Sequence, residues 1–170
     1  DSITITAMMG SRVAGDAGGT MSGEAKGGND VITISEVWDF RNQLSYVGGD
    51  AGLTMSGNAR GGNDTITIGT LVSGEVSGDA AVMSDAAKGG DYVITIGAMY
   101  GGYVGGDASQ EYSNEKGGDD TITITSMASG YVAGDAGTCM GALAHGGNDS
   151  ITVIEMKGGF VAGDAGMDMW

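Results

Sequence analysis

The chain has 170 residues, 35 of them Gly and none Pro, with 22 acidic side chains against 7 Lys and Arg and a formal net charge of −15. Each interior Gly costs a helix about 1 kcal/mol relative to Ala, so this density excludes long helices; the negative surplus excludes a nucleic-acid partner, which needs clustered Lys and Arg, and favours cations. No apolar run approaches the ~20 residues of a membrane span, and Cys139, the sole cysteine, has no intrachain disulfide partner.

The first predicted element is Ser2-Ile3-Thr4-Ile5, an alternating strand that follows Asp1. Val13-Ala14-Gly15-Asp16-Ala17 comes next, and Gly27-Gly28-Asn29-Asp30 then leads into a second strand, Val31-Ile32-Thr33-Ile34. The alternation continues with Val47-Gly48-Gly49-Asp50-Ala51 and Gly61-Gly62-Asn63-Asp64-Thr65-Ile66-Thr67-Ile68, and further copies of the Gly-Gly motif start at Gly89, Gly117 and Gly146. The Asp of the Val-x-Gly-Asp-Ala motif falls at 16, 50, 79, 107, 135 and 164, with differences of 34, 29, 28, 28 and 29. The long interval predicts a loop insertion over 35–45, in the second unit, because insertions in repeat arrays map to loops.

Aligned units put like residues in columns. Ile3, Ile32, Ile66, Ile94, Ile122 and Ile151 form one, and Val13, Val47, Val76, Val104, Val132 and Val161 another. Met8, Leu71, Met99, Met127 and Met156 form a third, and Met21, Met55, Tyr112, Met140 and Met169 a fourth, with Met83 one place early. Flexible Met suits an irregular narrow core better than a copper site here, because these columns alternate with Ile and Val. Identical residues in register every turn predict an all-β, parallel β-solenoid of six coils of about 28 residues, one domain over 1–170.

Stacking places each corner Asp about 4.8 Å from its equivalent in the next coil, a spacing at which bare carboxylates repel. Three answers compete: Asx-type capping of backbone amides; the basic ladder Lys26, Arg60, Lys88, Lys116 and His145, too short to balance the acids; and calcium, which takes about 6 to 8 oxygens from carboxylates and carbonyls. Gly61-Gly62-Asn63-Asp64-Thr65-Ile66, Val47-Gly48-Gly49-Asp50-Ala51-Gly52 and the run from Met55 through Arg60 into Gly61 resemble the hemolysin-type calcium-binding repeats of the repeats-in-toxin superfamily. That family's unit is a nonapeptide with two units per coil, whereas this coil is longer. In the copy from Gly89, Tyr92 stands where Asp is expected and Asp91 one place early. The resemblance implies secretion to the extracellular side of a bacterial cell, calcium-triggered folding and ions in the turns. The candidate calcium ligands are Asp16, Asp30, Asp50, Asp64, Asp79, Asp91, Asp107, Asp120, Asp135, Asp149 and Asp164.

One His and one Cys provide no nucleophile–base pair, so no enzyme is predicted. The Gly pairs lead into strands and not helix N-termini, which excludes a phosphate loop. The expected role is a structural or adhesive solenoid that self-associates head to tail into an extracellular filament, through Asp1 and Ile3 at one end and Met169 and Trp170 at the other. The alternative is ice binding through the outward rank Thr4, Thr33, Thr67, Thr95, Thr123 and Thr152, although Thr is also common on exposed strands. A second outward column, Arg12, Tyr46, Glu75, Tyr103, Tyr131 and Phe160, offers a partner or glycan surface.

Overall fold

The computed structural model describes residues 1–169. Each coil contributes three strands. The first holds β1 (Ser2–Met9), β2 (Arg12–Ala14) and β3 (Thr20–Met21), and the second β4 (Val31–Trp38), β5 (Tyr46–Gly48) and β6 (Thr54–Met55). Next come β7 (Thr65–Leu71), β8 (Glu75–Ser77) and β9 (Ala80–Met83), then β10 (Val93–Met99), β11 (Tyr103–Gly105) and β12 (Ala108–Glu111). The last two coils hold β13 (Thr121–Met127), β14 (Tyr131–Ala133) and β15 (Ala136–Met140), then β16 (Ser150–Met156), β17 (Phe160–Ala162) and β18 (Asp168–Met169). Every third strand pairs in parallel, giving three six-stranded sheets and a β-solenoid. Among the described residues no helix is long and apolar enough to cross a membrane.

The Ile columns pair as the alternation predicts, Ile3↔Ile32↔Ile66↔Ile94↔Ile122↔Ile151 in the long sheet. They pack with the Val column of the second sheet into one apolar lobe. A smaller lobe lies behind the third sheet, lined by Met21, Met55, Met83, Ala51, Ala80 and their neighbours. Alternation works because side chains of a strand point to opposite faces with period two.

Three sequence expectations are corrected by this register. The insertion is shorter than 35–45: β4 runs to Trp38, and Val37 is fully buried between Met8 and Leu71, supplying the second coil's member of that column. The excess is the hairpin after it, in which Phe40 and Gln43 exchange backbone hydrogen bonds of 3.0 and 2.8 Å around Arg41 and Asn42, both at positive φ. In the fourth column Met83 is in register with Met55, and its neighbour above is Glu111, not Tyr112, which is exposed. The cause is an irregularity in the β12–β15 pairing: Ala108 pairs with Ala136 but Gln110 with Cys139, so β15 carries one extra residue and counting back 28 from Met140 lands one place late. Tyr46, placed outward by alternation, is buried against Gly48, where a Cβ would lie 2.9 Å from the Tyr46 hydroxyl.

Candidate metal centre

Two Asp columns face each other across the waist between the lobes. In the first, each backbone N–H donates to the carbonyl of the next coil's equivalent, Asp16 to Asp50, Asp50 to Asp79, Asp79 to Asp107, Asp107 to Asp135 and Asp135 to Asp164. The second holds Asp30, Asp64, Tyr92, Asp120 and Asp149, positions that precede the Ile strands. Glycine makes the close approach of the two corners geometrically feasible. A Cβ on Gly61 would stand 1.8 Å from Asp79 Oδ1, and one on Gly49 would stand 2.1 Å from Asp64 Oδ2.

Most first-column carboxylates cap a corner amide across the waist. Gly28 N–H donates to Asp16 at 2.7 Å, Gly62 N–H to Asp50 at 3.0 Å, Gly118 N–H to Asp107 at 3.1 Å and Gly147 N–H to Asp135 at 2.7 Å. In the second column the cap runs between coils: Asp30 N–H donates to Asp64 Oδ1 at 2.7 Å, Tyr92 N–H to Asp120 Oδ1 at 2.8 Å and Asp120 N–H to Asp149 Oδ1 at 2.9 Å. Asx capping is therefore present and engages both oxygens of Asp50 and Asp107, but it leaves one oxygen of other waist carboxylates unbonded. The Oδ2 atoms of Asp30, Asp64, Asp79, Asp120 and Asp135 are buried without a hydrogen-bond partner. Orphaned buried carboxylate oxygens are costly, because desolvation of the charge is uncompensated.

The basic ladder supplies no compensation. Lys26, Arg60, Lys88, Lys116 and His145 pair in parallel bridges up the coils, as their spacing predicts, but all five are exposed. Among the described residues none of them forms an ion pair with a waist Asp.

Protonation records the same conflict. Burial raises the Asp50 carboxyl to about 6. Burial, followed by the charge of Asp50, raises Asp64 to about 8. Burial likewise lifts Asp120 to about 8 and Asp135 to about 7, and it drives Asp79 and Asp107 well above the carboxylate range. All these groups favour the neutral form at the pH where an ordinary Asp is ionised.

Asp135, Asp149 and Asp164 each bring one oxygen within 4.8 Å of the others. Register equivalents of this trio are Asp16, Asp30 and Asp50; Asp50, Asp64 and Asp79; and Asp107, Asp120 and Asp135. Tyr92 interrupts the series. Its buried hydroxyl lies 2.5 Å from Asp79 Oδ1 and 3.0 Å from Asp50 Oδ2, with one proton to donate between them, and accepts from Gly90 N–H at 3.1 Å. The hydroxyl thus enters the Asp50–Asp64–Asp79 set from the coil above and leaves its own set, Asp79, Tyr92 and Asp107, without a second-column carboxylate.

Ten of the eleven Asp residues named from the sequence lie in these two columns; Asp91 does not. It is exposed on an outer Asx ladder, where its N–H donates to Asn63 Oδ1 at 3.1 Å and its Oδ1 accepts from Asp119 N–H at 3.0 Å. The sequence signal for Tyr92 was its place in the Asp column, but its hydroxyl's reach into the neighbouring coil was not readable. Glu111, which the sequence reading passed over, is buried in the same coil, as is Glu115, and would have been found by aligning from Met83 upward.

The Thr rank is unbroken and in register from Thr4 to Thr152. Tyr103, Tyr131 and Phe160 stack with ring centroids 5.2 and 5.0 Å apart. Of the expected end-to-end residues, Asp1 and Met169 are exposed and Ile3 is half-buried, while Trp170 lies outside the described residues. Comparison with family models, with curated proteins and with solved structures gives no match.

Proposed function

We propose that this chain is a calcium-stabilised structural rod of the cell exterior, whose acidic waist is filled by cations and whose coils present an adhesive or self-associating surface. One observation carries the reading: five Asp Oδ2 atoms are buried without a partner in a strip the basic ladder does not reach. Carboxylates and corner carbonyls are hard oxygen donors, which suit calcium, and calcium is scarce inside cells and plentiful outside them. Asp16, Asp30 and Asp50 would hold one ion, and Asp107, Asp120, Asp135, Asp149 and Asp164 the rest, with Tyr92 closing the stretch between them. Far-UV circular dichroism in calcium and in EDTA tests this. The expected outcome is loss of β structure on chelation and recovery on adding calcium; an unchanged spectrum and thermal midpoint in EDTA would refute it.

Filament growth is supported by the sixth coil, where Val161, Met156 and Met169 are exposed although Val132, Met127 and Met140 beneath them are buried. A further coil in the same register, from a second copy or from more repeats of the same chain, covers them. Sedimentation velocity of the 170-residue chain in calcium separates the two sources, since only the first gives concentration-dependent growth. The in-register Thr rank favours ice binding as the second reading, and thermal hysteresis in millimolar protein is its test.

A further inference from the structure

The hairpin after β4 is the largest departure from the repeat, and it is firmly seated. Asp39 N–H donates to Ser73 Oγ at 2.9 Å, Asp39 Oδ1 accepts Ser45 N–H at 2.7 Å, and the buried Ser45 hydroxyl donates to the Trp38 carbonyl at 2.7 Å. The same carbonyl accepts Gly10 N–H of the first coil at 3.2 Å. Gly10 has φ +54°, and a Cβ on it would stand 3.1 Å from Phe40 Cβ and 3.0 Å from Gln43 Cβ. Positive φ and close approach together select glycine there.

Between this hairpin and the first coil lies a cleft of about 680 Å³, inside the roughly 300–1,000 Å³ range of small-molecule sites. Besides Gly10, it is lined by Ser11, Arg12 and Gly18 from the first coil and by Asn42, Gln43 and Leu44 from the hairpin. No acid contributes to the lining, although the chain carries 22 of them. Among the described residues Arg12 forms no ion pair. An unpaired guanidinium in a cleft without carboxylates selects an anion, and its planar fork fits a carboxylate with two parallel hydrogen bonds.

The rest of the lining selects the body of the ligand. Asn42 and Gln43 offer amide donors and acceptors, and Ser11 Oγ, which donates to the Met9 carbonyl at 2.9 Å, can still accept. Leu44 is the only large apolar side chain in the lining. The cleft therefore offers little to the apolar side chains of a peptide and much to a hydroxyl-rich sugar.

We propose that this cleft binds an acidic sugar, a uronate residue of a polysaccharide, with Arg12 on the carboxylate and Ser11, Asn42 and Gln43 on the ring hydroxyls. A sulfate ester presents similar anionic oxygens to Arg12, and the test separates the two. The inference goes beyond the rod reading by giving its adhesive surface a ligand. It uses no waist Asp and does not rest on cation binding.

The test titrates the full nitrogen-15-labelled chain, in calcium, with glucuronate and follows the amide shifts by NMR. Saturable shifts are expected at residues 10–12, 18 and 42–44, with none from glucose and weaker binding of glucose 6-sulfate. Arg12→Gln is expected to weaken glucuronate binding about tenfold or more. Gly18→Leu is expected to abolish it with an unchanged thermal midpoint, because nothing lies within 4 Å of a Cβ there and the new side chain occupies the cleft. Arg60→Gln, on the basic ladder, should bind as the parent does. An absence of saturable shifts at these amides, or equal constants for Arg12→Gln and the parent, overturns the inference. Equal affinity for glucose overturns the role of the carboxylate, and equal affinity for glucose 6-sulfate or inorganic sulfate overturns the uronate assignment. A circular dichroism spectrum and midpoint unchanged in EDTA refute the cation reading and leave this inference standing.

Discussion

Raising pH in the absence of divalent cations is the perturbation that most directly tests this waist. Asp50, Asp135, Asp64 and Asp120 have folded values of about 6, 7, 8 and 8, above the 3.8 of an unconstrained Asp. A carboxyl whose folded value is raised binds its proton more tightly in the folded state. Its stabilisation is full below pH ~4 and is lost as pH rises through the folded value, the reverse of an ordinary salt-bridged Asp. Each net proton held only by the folded chain changes stability by about 1.4 kcal/mol per pH unit, so even two such protons give roughly 3 kcal/mol per unit. Against a typical total of about 5–15 kcal/mol, that slope unfolds the cation-free chain between pH 5 and 8. Urea unfolding followed by circular dichroism in EDTA, at half-unit steps from pH 5 to 8, measures it directly. Calcium should flatten or invert the slope, because ionised carboxylates bind it and each site at 100 times its dissociation constant adds about 2.7 kcal/mol. A cation-free stability that is constant or rises over this range would refute the picture of an acidic strip held by protons or ions.

Three other predictions follow from particular contacts. Tyr92→Phe removes the hydroxyl that bridges Asp50 and Asp79 and should lower stability in EDTA by about 1–3 kcal/mol, read from urea midpoints; Tyr92→Asp should raise the calcium count by native mass spectrometry. Gly62→Ala would drive a Cβ to 1.5 Å from the Gly28 carbonyl and should cost about 3 kcal/mol or more, while Gly18→Ala, which meets nothing within 4 Å, should stay within about 0.5 kcal/mol. Tyr131→Ala breaks both stacked pairs of the aromatic ladder and should cost about 1–3 kcal/mol without changing the calcium count, both measurable on the same samples.

The solenoid was legible because it is made of columns. Ile32, Ile66 and Ile94 are fully buried for the reason alternation gives, and the Val column follows the same rule. Long-range order failed where a single residue shifted the count: the irregularity between Ala108 and Gln110 exchanged Glu111 for Tyr112 and hid the least ordinary residue of the core. Val37 was read as loop because the whole excess of the 34-residue interval between Asp16 and Asp50 was assigned to the stretch after Ile34, yet its own pairing partners Met8 and Leu71 keep it in the strand. The ten waist Asp residues were found by position alone. That one oxygen of half of them is bonded and the other orphaned depends on which donors lie across the coil, and no spacing encodes that.

The waist also explains why acids occupy an interior. The two corners approach so closely that Gly61 and Gly89, next to the amides of Gly62 and Gly90, admit no Cβ, their would-be Cβ atoms falling 1.8 and 1.6 Å from the Oδ1 atoms of Asp79 and Asp107 in the opposite column. An apolar side chain from the opposite corner would bury those amides without a partner, a penalty of about 1–3 kcal/mol each. A short carboxylate reaches the amide and satisfies it, as Asp50 does for Gly62 and Asp135 for Gly147. Repeating that solution in every coil stacks the charges, and the neutralising species must then be small enough to enter a strip that excludes even a methyl group. Protons and bare cations meet that limit; lysine does not, which is why the basic ladder lies on the outside.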